Sequence, residues 1–205
     1  MGLLALFGFG PHNIPVEKAQ KYEARADSCI DSGDTGLAIG NYRKAAQVYF
    51  YRDRMTDFQR VMDKLRFLSL QLDREGRDLL ERHLTDTGRL HYEQGKKLDY
   101  KDKVHQAVKE YKLALEFWPD NPKIYCNLGY DYGLLGDADR ELVCYQRAVK
   151  LEPRYQMALD NLLISYLEQN REGDARVFLA KELNLSEDKI DRLIANEKNA
   201  MRRAH

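Results

Sequence analysis

The sequence predicts an all-α protein, a superhelical array of about five helical hairpins followed by a capping helix at the C-terminal end. Ala, Leu, Lys, Arg, Glu and Gln are common, whereas the chain has only 5 prolines in 205 residues, and this composition favours helices. Apolar residues recur at helical spacing along the chain. Segments of similar sequence also follow one another at a constant interval, which is typical of repeat proteins.

The interval is 34 residues, the distance from Pro119 to Pro153 (153 − 119). In this register Gly95 corresponds to Gly129, and Tyr111 corresponds to Tyr145. The N-terminal part of the chain shows the same order of residues, with Gly33 in the place of Gly136 and Tyr42 in the place of Tyr145. We therefore predict an array over 16–189 with units at 19–52, 53–87, 88–121, 122–155 and 156–189.

The unit at 53–87 matches the others in length only, so we treat it as degenerate. Its first part predicts an amphipathic helix, and Gly76 is expected to end that helix before a second one. The apolar positions of the first helix are Phe58, Val61, Met62, Leu65, Leu68 and Leu72.

The last segment, 186–205, predicts a capping helix. Ser186 is a suitable N-cap, acidic residues follow it, and basic residues stand at the other end, in agreement with the helix dipole. One side of this helix is apolar and would seal the last unit. That side consists of Ile190, Leu193, Ile194 and Met201.

These features resemble the tetratricopeptide repeat, in which each unit is a helix A, a turn and a helix B. The resemblance is strongest in 122–155, which carries Tyr125, Leu128, Gly129, Tyr132, Gly136-Asp137, Tyr145, Ala148 and Pro153. Partial matches occur in 88–121 (Gly95, Ala107, Tyr111, Ala114, Pro119), in 156–189 (Leu162, Tyr166, Ala175) and in 19–52 (Tyr22, Ala26, Gly33-Asp34, Ala38, Tyr42, Ala45). The resemblance implies stacked hairpins with a concave face formed mainly by helices A.

The glycines of 122–155 have separate expected roles. Gly129 should lie where helix A meets its own helix B, and Gly136 should end helix A in a left-handed conformation. Gly133 matches no position of the family and should face outward or into the groove. Glu141 replaces the small residue of the other units, so we expect either a slight rotation of the helix or a cation such as Arg140 or Lys150 beside its carboxylate.

The composition argues against several classes of function. The 33 basic and 33 acidic side chains cancel, and no basic stripe is visible, so we expect no binding to nucleic acid. Three cysteines without a CxxC motif argue against disulfides and structural zinc. No motif accompanies the histidines, which we interpret as solvated or packing residues. We expect no enzyme activity, no cofactor and no metal.

The apolar N-terminal segment, 1–15, is too short to span a bilayer and lacks the features of a secretory signal. No other run is apolar enough for a transmembrane helix, and we expect a cytoplasmic protein. Residues 3–9 could form a disordered tail, pack on the first unit, or form a self-assembly or membrane-touching patch. We favour packing, within the chain or across a homo-oligomer.

The resemblance also implies where a partner would bind, because in the family certain positions of helix A face the groove. Here they include Arg89, Tyr92, Lys96, Tyr100, Lys123, Tyr130, Asp160 and Ile164, with Asn127 and Asn161 beside them as donors or acceptors for a peptide backbone. We predict a scaffold or adaptor that holds a peptide segment of a partner in this groove. The alternative is a structural protein that self-assembles through residues 3–9 and the convex surface.

Overall fold

The computed structural model describes residues 14–99 and 103–204, the last of them by its backbone only. Within these ranges the regular structure is entirely α-helical, which confirms the predicted fold class. The helices are α1 (Val16–Asp31), α2 (Thr35–Tyr51), α3 (Met55–Gln71), α4 (Arg74–Asp99), α5 (Val104–Phe117), α6 (Pro122–Leu134), α7 (Ala138–Leu151), α8 (Gln156–Glu168), α9 (Glu172–Glu182) and α10 (Glu187–Ala204). The chain divides after Thr87 into two compact units, which we describe separately.

The unit that ends at Thr87 contains α1, α2, α3 and the first part of α4. Its core consists of apolar side chains that point inward from these helices, and Tyr49, Phe58 and Leu65 are almost completely buried. Ion pairs join α1 to α3, with Arg60 Nη2 2.8 Å from Glu23 Oε2 and Lys64 Nζ 2.8 Å from Asp27 Oδ1. The predicted amphipathic helix in 53–87 is therefore present as α3.

One detail predicted for 53–87 is wrong. The chain leaves the helix at Leu72, which has an extended backbone, and α4 begins at Arg74, so that Gly76 lies in the first turn of the new helix. Asp73 explains this start, because its Oδ1 accepts a hydrogen bond from the Gly76 amide at 2.8 Å. The helix then continues through residues 87 and 88, between which the sequence predicts a boundary of two units.

The unit that starts at Gly88 contains the rest of α4 and α5 to α10. It is built of antiparallel helix pairs, and its core combines Tyr111, Leu128, Tyr145, Leu162 and residues around them. Ile190 and Ile194 of α10 are buried against α8 and α9, so the C-terminal helix covers the last pair as predicted. The predicted limits of the individual repeats remain predictions.

The same turn recurs between paired helices. Gly33 and Gly136 have φ values of +79° and +73°, and the amide of the next residue donates back to Cys29 and to Tyr132, respectively. Asn170, 34 residues after Gly136 (170 − 136), has a φ of 57° and the same bonding pattern. Asp34 and Asp137 then cap α2 and α7 by accepting from Leu37 N and Arg140 N. The left-handed cap expected at Gly136 is confirmed.

The crossings of helix A and helix B depend on glycine. A Cβ at Gly95 would lie 2.5 Å from the ring of Tyr111, and a Cβ at Gly129 would lie 2.8 Å from the ring of Tyr145. Both distances are shorter than real Cβ contacts, so only glycine fits without a shift of the helices. Gly95 and Gly129 therefore occupy equivalent crossings, as the repeat predicts. The tyrosine ring, rather than the backbone of helix B, fills the space that the glycine leaves.

Candidate functional site

The candidate site consists of residues from α4, α6 and α8 in the unit that starts at Gly88. Helical periodicity groups the members of each helix on one side of that helix, because residues three, four and seven apart share a face. On α4 these are Arg89, Tyr92 and Lys96; on α6, Lys123, Asn127 and Tyr130; on α8, Asp160, Asn161 and Ile164. We call this set the groove residues. Tyr100, the remaining predicted member, lies outside the described residues.

Tyr92 connects the α4 members to α6. The Lys96 ammonium lies over its ring, 5.3 Å from the centroid, and its ring centroid is 6.0 Å from that of Tyr111. The Tyr92 hydroxyl accepts a hydrogen bond from Asn127. Burial raises the pKa of Tyr92 despite the Lys96 charge, so the phenol stays neutral.

Asn127 is held by two tyrosines. Its Nδ2 donates to the Tyr111 hydroxyl at 3.2 Å, in addition to the bond to Tyr92. The Nδ2 group of Asn127 is therefore directed at Tyr111, and its Oδ1 can accept a hydrogen bond from a ligand. This matches the predicted role of Asn127 as a residue that could bind a peptide backbone, a role that remains a prediction.

Two carboxyls lie behind this network. The Tyr111 hydroxyl donates to Asp99 at the end of α4, and Asp99 is within hydrogen-bond reach of Asp131 on α6. Asp131 is fully buried. Burial, and after it the neighbouring charge of Asp99, together raise the pKa of Asp131 to about 8. One of the two carboxyls thus carries a proton near neutral pH and can donate it to the other.

The contact between α6 and α8 is made by Cys126 and Asn161. Asn161 Nδ2 lies 3.8 Å from Cys126 Sγ, and the Tyr155 hydroxyl also interacts with this thiol. Burial raises the pKa of Cys126, so this is a packing thiol and not a reactive one. Tyr155 was missed as a member of the site because it precedes α8 and belongs to no helical face.

Asp160, one of the groove residues, has an acidic neighbour. Glu197 of α10 is half-buried, and its pKa is raised first by burial and then by the nearby charge of Asp160. The sequence placed Glu197 only in the capping helix, and nothing in its spacing indicated that it approaches α8. The basic groove residues Lys96 and Lys123 lie near the end of α4 and at the start of α6, respectively.

Three groove residues are open to solvent. Arg89, Lys123 and Tyr130 are exposed, and the exposed fraction of Tyr130 is 55%. Met157 of α8 is exposed to 57%. Ile164 is half-buried. Large side chains with this exposure are available for contact with a partner.

Of the two arrangements expected for Glu141, pairing with Arg140 or Lys150 is not observed. Arg140 binds Asp137, and Lys150 Nζ lies 2.8 Å from Glu182 Oε2, so both candidate cations are engaged elsewhere. The carboxyl of Glu141 instead lies beside Gly133, where a Cβ would come within 3.1 Å of it. Burial raises the pKa of Glu141, and a hydrogen bond with Ser165 opposes this rise. Gly133 thus makes room for the one large residue at a position that is otherwise small.

The described residues contain no group of metal-binding side chains of the size that a metal site needs. His91 is buried, with its Nδ1 2.8 Å from Glu110 Oε2 and its ring stacked on Phe117 at a centroid distance of 6.4 Å. This geometry makes His91 a packing residue. In 14–99 and 103–204, none of the helices has the length and apolar character needed to cross a bilayer.

A family model matches part of the chain. Residues 100–136 match the family model described as a TPR repeat. The solved structures similar to this chain include a crystal structure of MamA, with 18% identity over 81% of this chain and 96% of that one at a TM-score of 0.44. No curated protein sequence matches the chain.

Two further solved structures cover a similar part of the chain. One is MamA 41-end from Desulfovibrio magneticus RS-1, with 17% identity over 82% of this chain and 94% of that one at a TM-score of 0.42. The other is the TPR2AB-domain:pHSP90 complex of yeast Sti1, with 17% identity over 88% of this chain and 69% of that one, also at 0.42. Similarity at this level says nothing about ligands. The chain therefore carries a tetratricopeptide repeat, matched at residues 100–136, within an all-helical fold.

Proposed function

We propose that the chain is a protein-interaction scaffold that binds an extended peptide segment of a partner along the groove residues. The observation that supports this most directly is the connected series Lys96, Tyr92, Asn127 on α4 and α6, with Cys126 and Asn161 joining α6 to α8. These contacts bring side chains from three helices onto one surface. Tetratricopeptide repeats are interaction modules, which supports the same function.

The charges of the groove residues favour one orientation of the peptide. Lys96 and Lys123 attract an acidic side chain or a carboxylate, whereas Asp160 and Glu197 attract a basic one. A peptide that has an acidic end and a basic end, with an uncharged part between them, would match both the basic and the acidic side chains. Tyr92, Tyr130 and Met157 would contact that middle part, since Tyr and Met give large contact area at low entropic cost.

Asn127 and Asn161 would hold the peptide backbone. The Nδ2 groups of both residues are directed at the protein, to Tyr111 and Cys126, so their orientation is fixed before a ligand arrives. The Oδ1 atom of each can then accept a backbone N–H. A fixed orientation lowers the entropic cost of binding.

The test is affinity purification with quantitative mass spectrometry, followed by anisotropy titration of the peptide found. The variant Lys123→Glu reverses a charge, and Tyr130→Ala removes a contact, at exposed groove residues without disturbing the core. We expect each to weaken binding about tenfold, the effect of losing one good interface contact. Lys181→Glu, which makes the same charge change at an exposed position on α9, is the matched control.

The opposite pattern would contradict the proposal. If Lys181→Glu weakens the partner as much as Lys123→Glu, the effect comes from net charge and not from the groove. If the partner ignores Lys123→Glu and Tyr130→Ala together, it binds another surface. A peptide with the reverse charge order, tested on the wild-type chain, separates the proposed polarity from binding as such.

A further inference from the structure

The outward face of α3 carries an apolar surface that its own unit leaves open. Phe67 and Leu70 are neighbours on this helix, and their exposed fractions are 62% and 80%. A shallow groove leads to them along α3, lined by Thr56, Gln59, Arg60, Asp63, Lys64 and Phe67. We call this groove, together with Leu70, the α3 groove. It does not overlap the groove residues.

The charges that border the α3 groove are already neutralised. Arg60 pairs with Glu23 and Asp57, Lys64 pairs with Asp27, and Asp63 pairs with Arg66. A charged ligand would therefore meet no free opposite charge here. An uncharged apolar segment could cover Phe67 and Leu70 while these ion pairs stay in place.

The chain itself contains such a segment. Residues 3–9, LLALFGF, hold no charge and five large apolar side chains. The neighbouring helix α1 offers them nothing to pack on, because its exposed positions are polar or alanine. Among the exposed large apolar side chains described in the unit that ends at Thr87, Phe67 and Leu70 are the pair that stands together, whereas Leu37 and Met55 lie apart from them.

The geometry allows this segment to reach the α3 groove. The pairs Glu23–Arg60 and Asp27–Lys64 show that α1 and α3 run in the same direction with an offset of 37 residues (60 − 23 and 64 − 27). Val16, the first residue of α1, then lies level with a point two residues before Met55, at which α3 begins. Because Pro15 is extended, Ile14 lies up to about 7 Å further back, and the start of the groove is about 15 Å away, from about 11 Å along the axis and one helix diameter of about 10 Å across. The steps from residue 9 to residue 14 span up to about 17 Å.

The lengths of segment and groove also agree. From Thr56 to Leu70 the helix rises about 21 Å, and residues 3–9 in an extended conformation span about 20 Å. We propose that residues 3–9 lie extended along the α3 groove of their own chain, antiparallel to α3, with Leu3 and Leu4 against Phe67 and Leu70. The short connection through residues 10–13 favours this occupant over a second copy, because a tethered segment is present at a high effective concentration.

A disulfide-trapping experiment on the full chain tests this proposal. In the variant Leu6→Cys/Asp63→Cys, the two thiols should meet at the middle of the groove. The control variant Leu6→Cys/Lys21→Cys places the second thiol on the exposed face of α1. The native cysteines are buried, and peptide mapping identifies which pair has formed. Equilibration in a glutathione redox buffer gives an effective concentration for each pair.

We expect the effective concentration of the 6–63 pair to exceed that of the 6–21 pair at least tenfold, and adding Phe67→Ser should remove this advantage of the 6–63 pair. A segment that does not dock would favour the control, since it closes a loop of 15 residues (21 − 6) instead of 57 (63 − 6). That result would overturn the proposal. Disulfide-linked dimers through residue 63 would overturn it too, because they would show a second copy in the groove.

Discussion

The ring of Tyr145 occupies the space beside Gly129 in which any other residue would place its Cβ. The distance from that Cβ to the ring would be 2.8 Å, so a methyl group requires the α6–α7 pair to move apart. We expect Gly129→Ala to lower the free energy of unfolding by about 1–2 kcal/mol, since overpacking outweighs the gain in helix propensity. Urea titration followed by circular dichroism measures this change.

Gly40 is the matched control for this substitution. It lies inside α2 with no atom within 4 Å of its Cβ position, so alanine fits there. Gly40→Ala should therefore raise the free energy of unfolding by about 0.5–1 kcal/mol. Equal stabilisation by both substitutions would show that the Gly129 crossing has room to spare, and would contradict the close packing.

Because of the Asp99–Asp131 pair, we expect the free energy of unfolding to fall as the pH rises. Burial and the neighbouring charge hold the pKa of Asp131 at about 8 in the folded state, above the ordinary value of about 4. The folded chain thus keeps a proton that the unfolded chain loses, and the stabilisation present at low pH disappears between about pH 4 and pH 8. Asp131→Asn removes this titration. The free energy of unfolding of the variant should therefore exceed that of the wild type by an amount that grows with pH, to the order of 2 kcal/mol at pH 9.

Thermal melts from pH 5 to pH 9 test this prediction. Asp139→Asn, an exposed change on α7, should leave the pH dependence of the wild type unaltered. If Asp131→Asn lowers the melting temperature at every pH, the carboxyl has a structural partner that an amide cannot replace.

The sequence could predict the repeat because its determinants are local. Gly95, Gly129, Gly136 and the tyrosines opposite them act within one hairpin, so their spacing along the chain defines their contacts. The predicted position of the break before α4 is wrong, although its determinant is also local. Gly76 looked like a helix breaker, but the Asp73 side chain caps the helix that contains it.

For the candidate site, helical spacing predicts only which face of its own helix a residue occupies, as for Tyr92, Asn127 and Asn161, and the binding role of these residues remains a prediction. Helical spacing could not predict that Glu197 approaches Asp160 from a helix that is distant along the chain. The buried position of Asp131 was also missed. No pattern in one sequence shows that two acidic residues from different helices will share a proton.

In the unit that ends at Thr87, we expect Glu23 to make the stability depend on pH in the opposite direction. Burial alone would raise its pKa, but hydrogen bonds from Arg60 and Lys64 outweigh this effect and lower the pKa to about 2. The resulting stabilisation is complete above about pH 4.5 and disappears as the pH falls through 2. We expect Glu23→Gln to lower the free energy of unfolding by about 2 kcal/mol at pH 7 and by much less at pH 2.5.

Denaturant titrations at pH 7 and pH 2.5 measure the two differences. Asp63→Asn, which removes an exposed partner of Arg66, is the control and should cost less than about 0.5 kcal/mol at either pH. A loss from Glu23→Gln that is the same at both pH values would mean that the ion pairs do not lower the pKa of Glu23.

The effects of substitutions at Gly133 and at Glu141 on the free energy of unfolding should depend on each other. Glu141→Ala restores the small residue of the other units and removes a half-buried carboxyl whose pKa is raised by burial, at the cost of its hydrogen bond with Ser165. Gly133→Ala adds helix propensity but brings a methyl group within 3.1 Å of that carboxyl. We therefore expect Gly133→Ala to stabilise the chain by about 1 kcal/mol when Glu141 is alanine and by clearly less when Glu141 is present.

A double-mutant cycle from urea titrations gives the coupling energy, which should be at least about 0.5 kcal/mol. Additive effects would show that the Glu141 side chain moves aside freely, and Gly133 would then have no role in accommodating it.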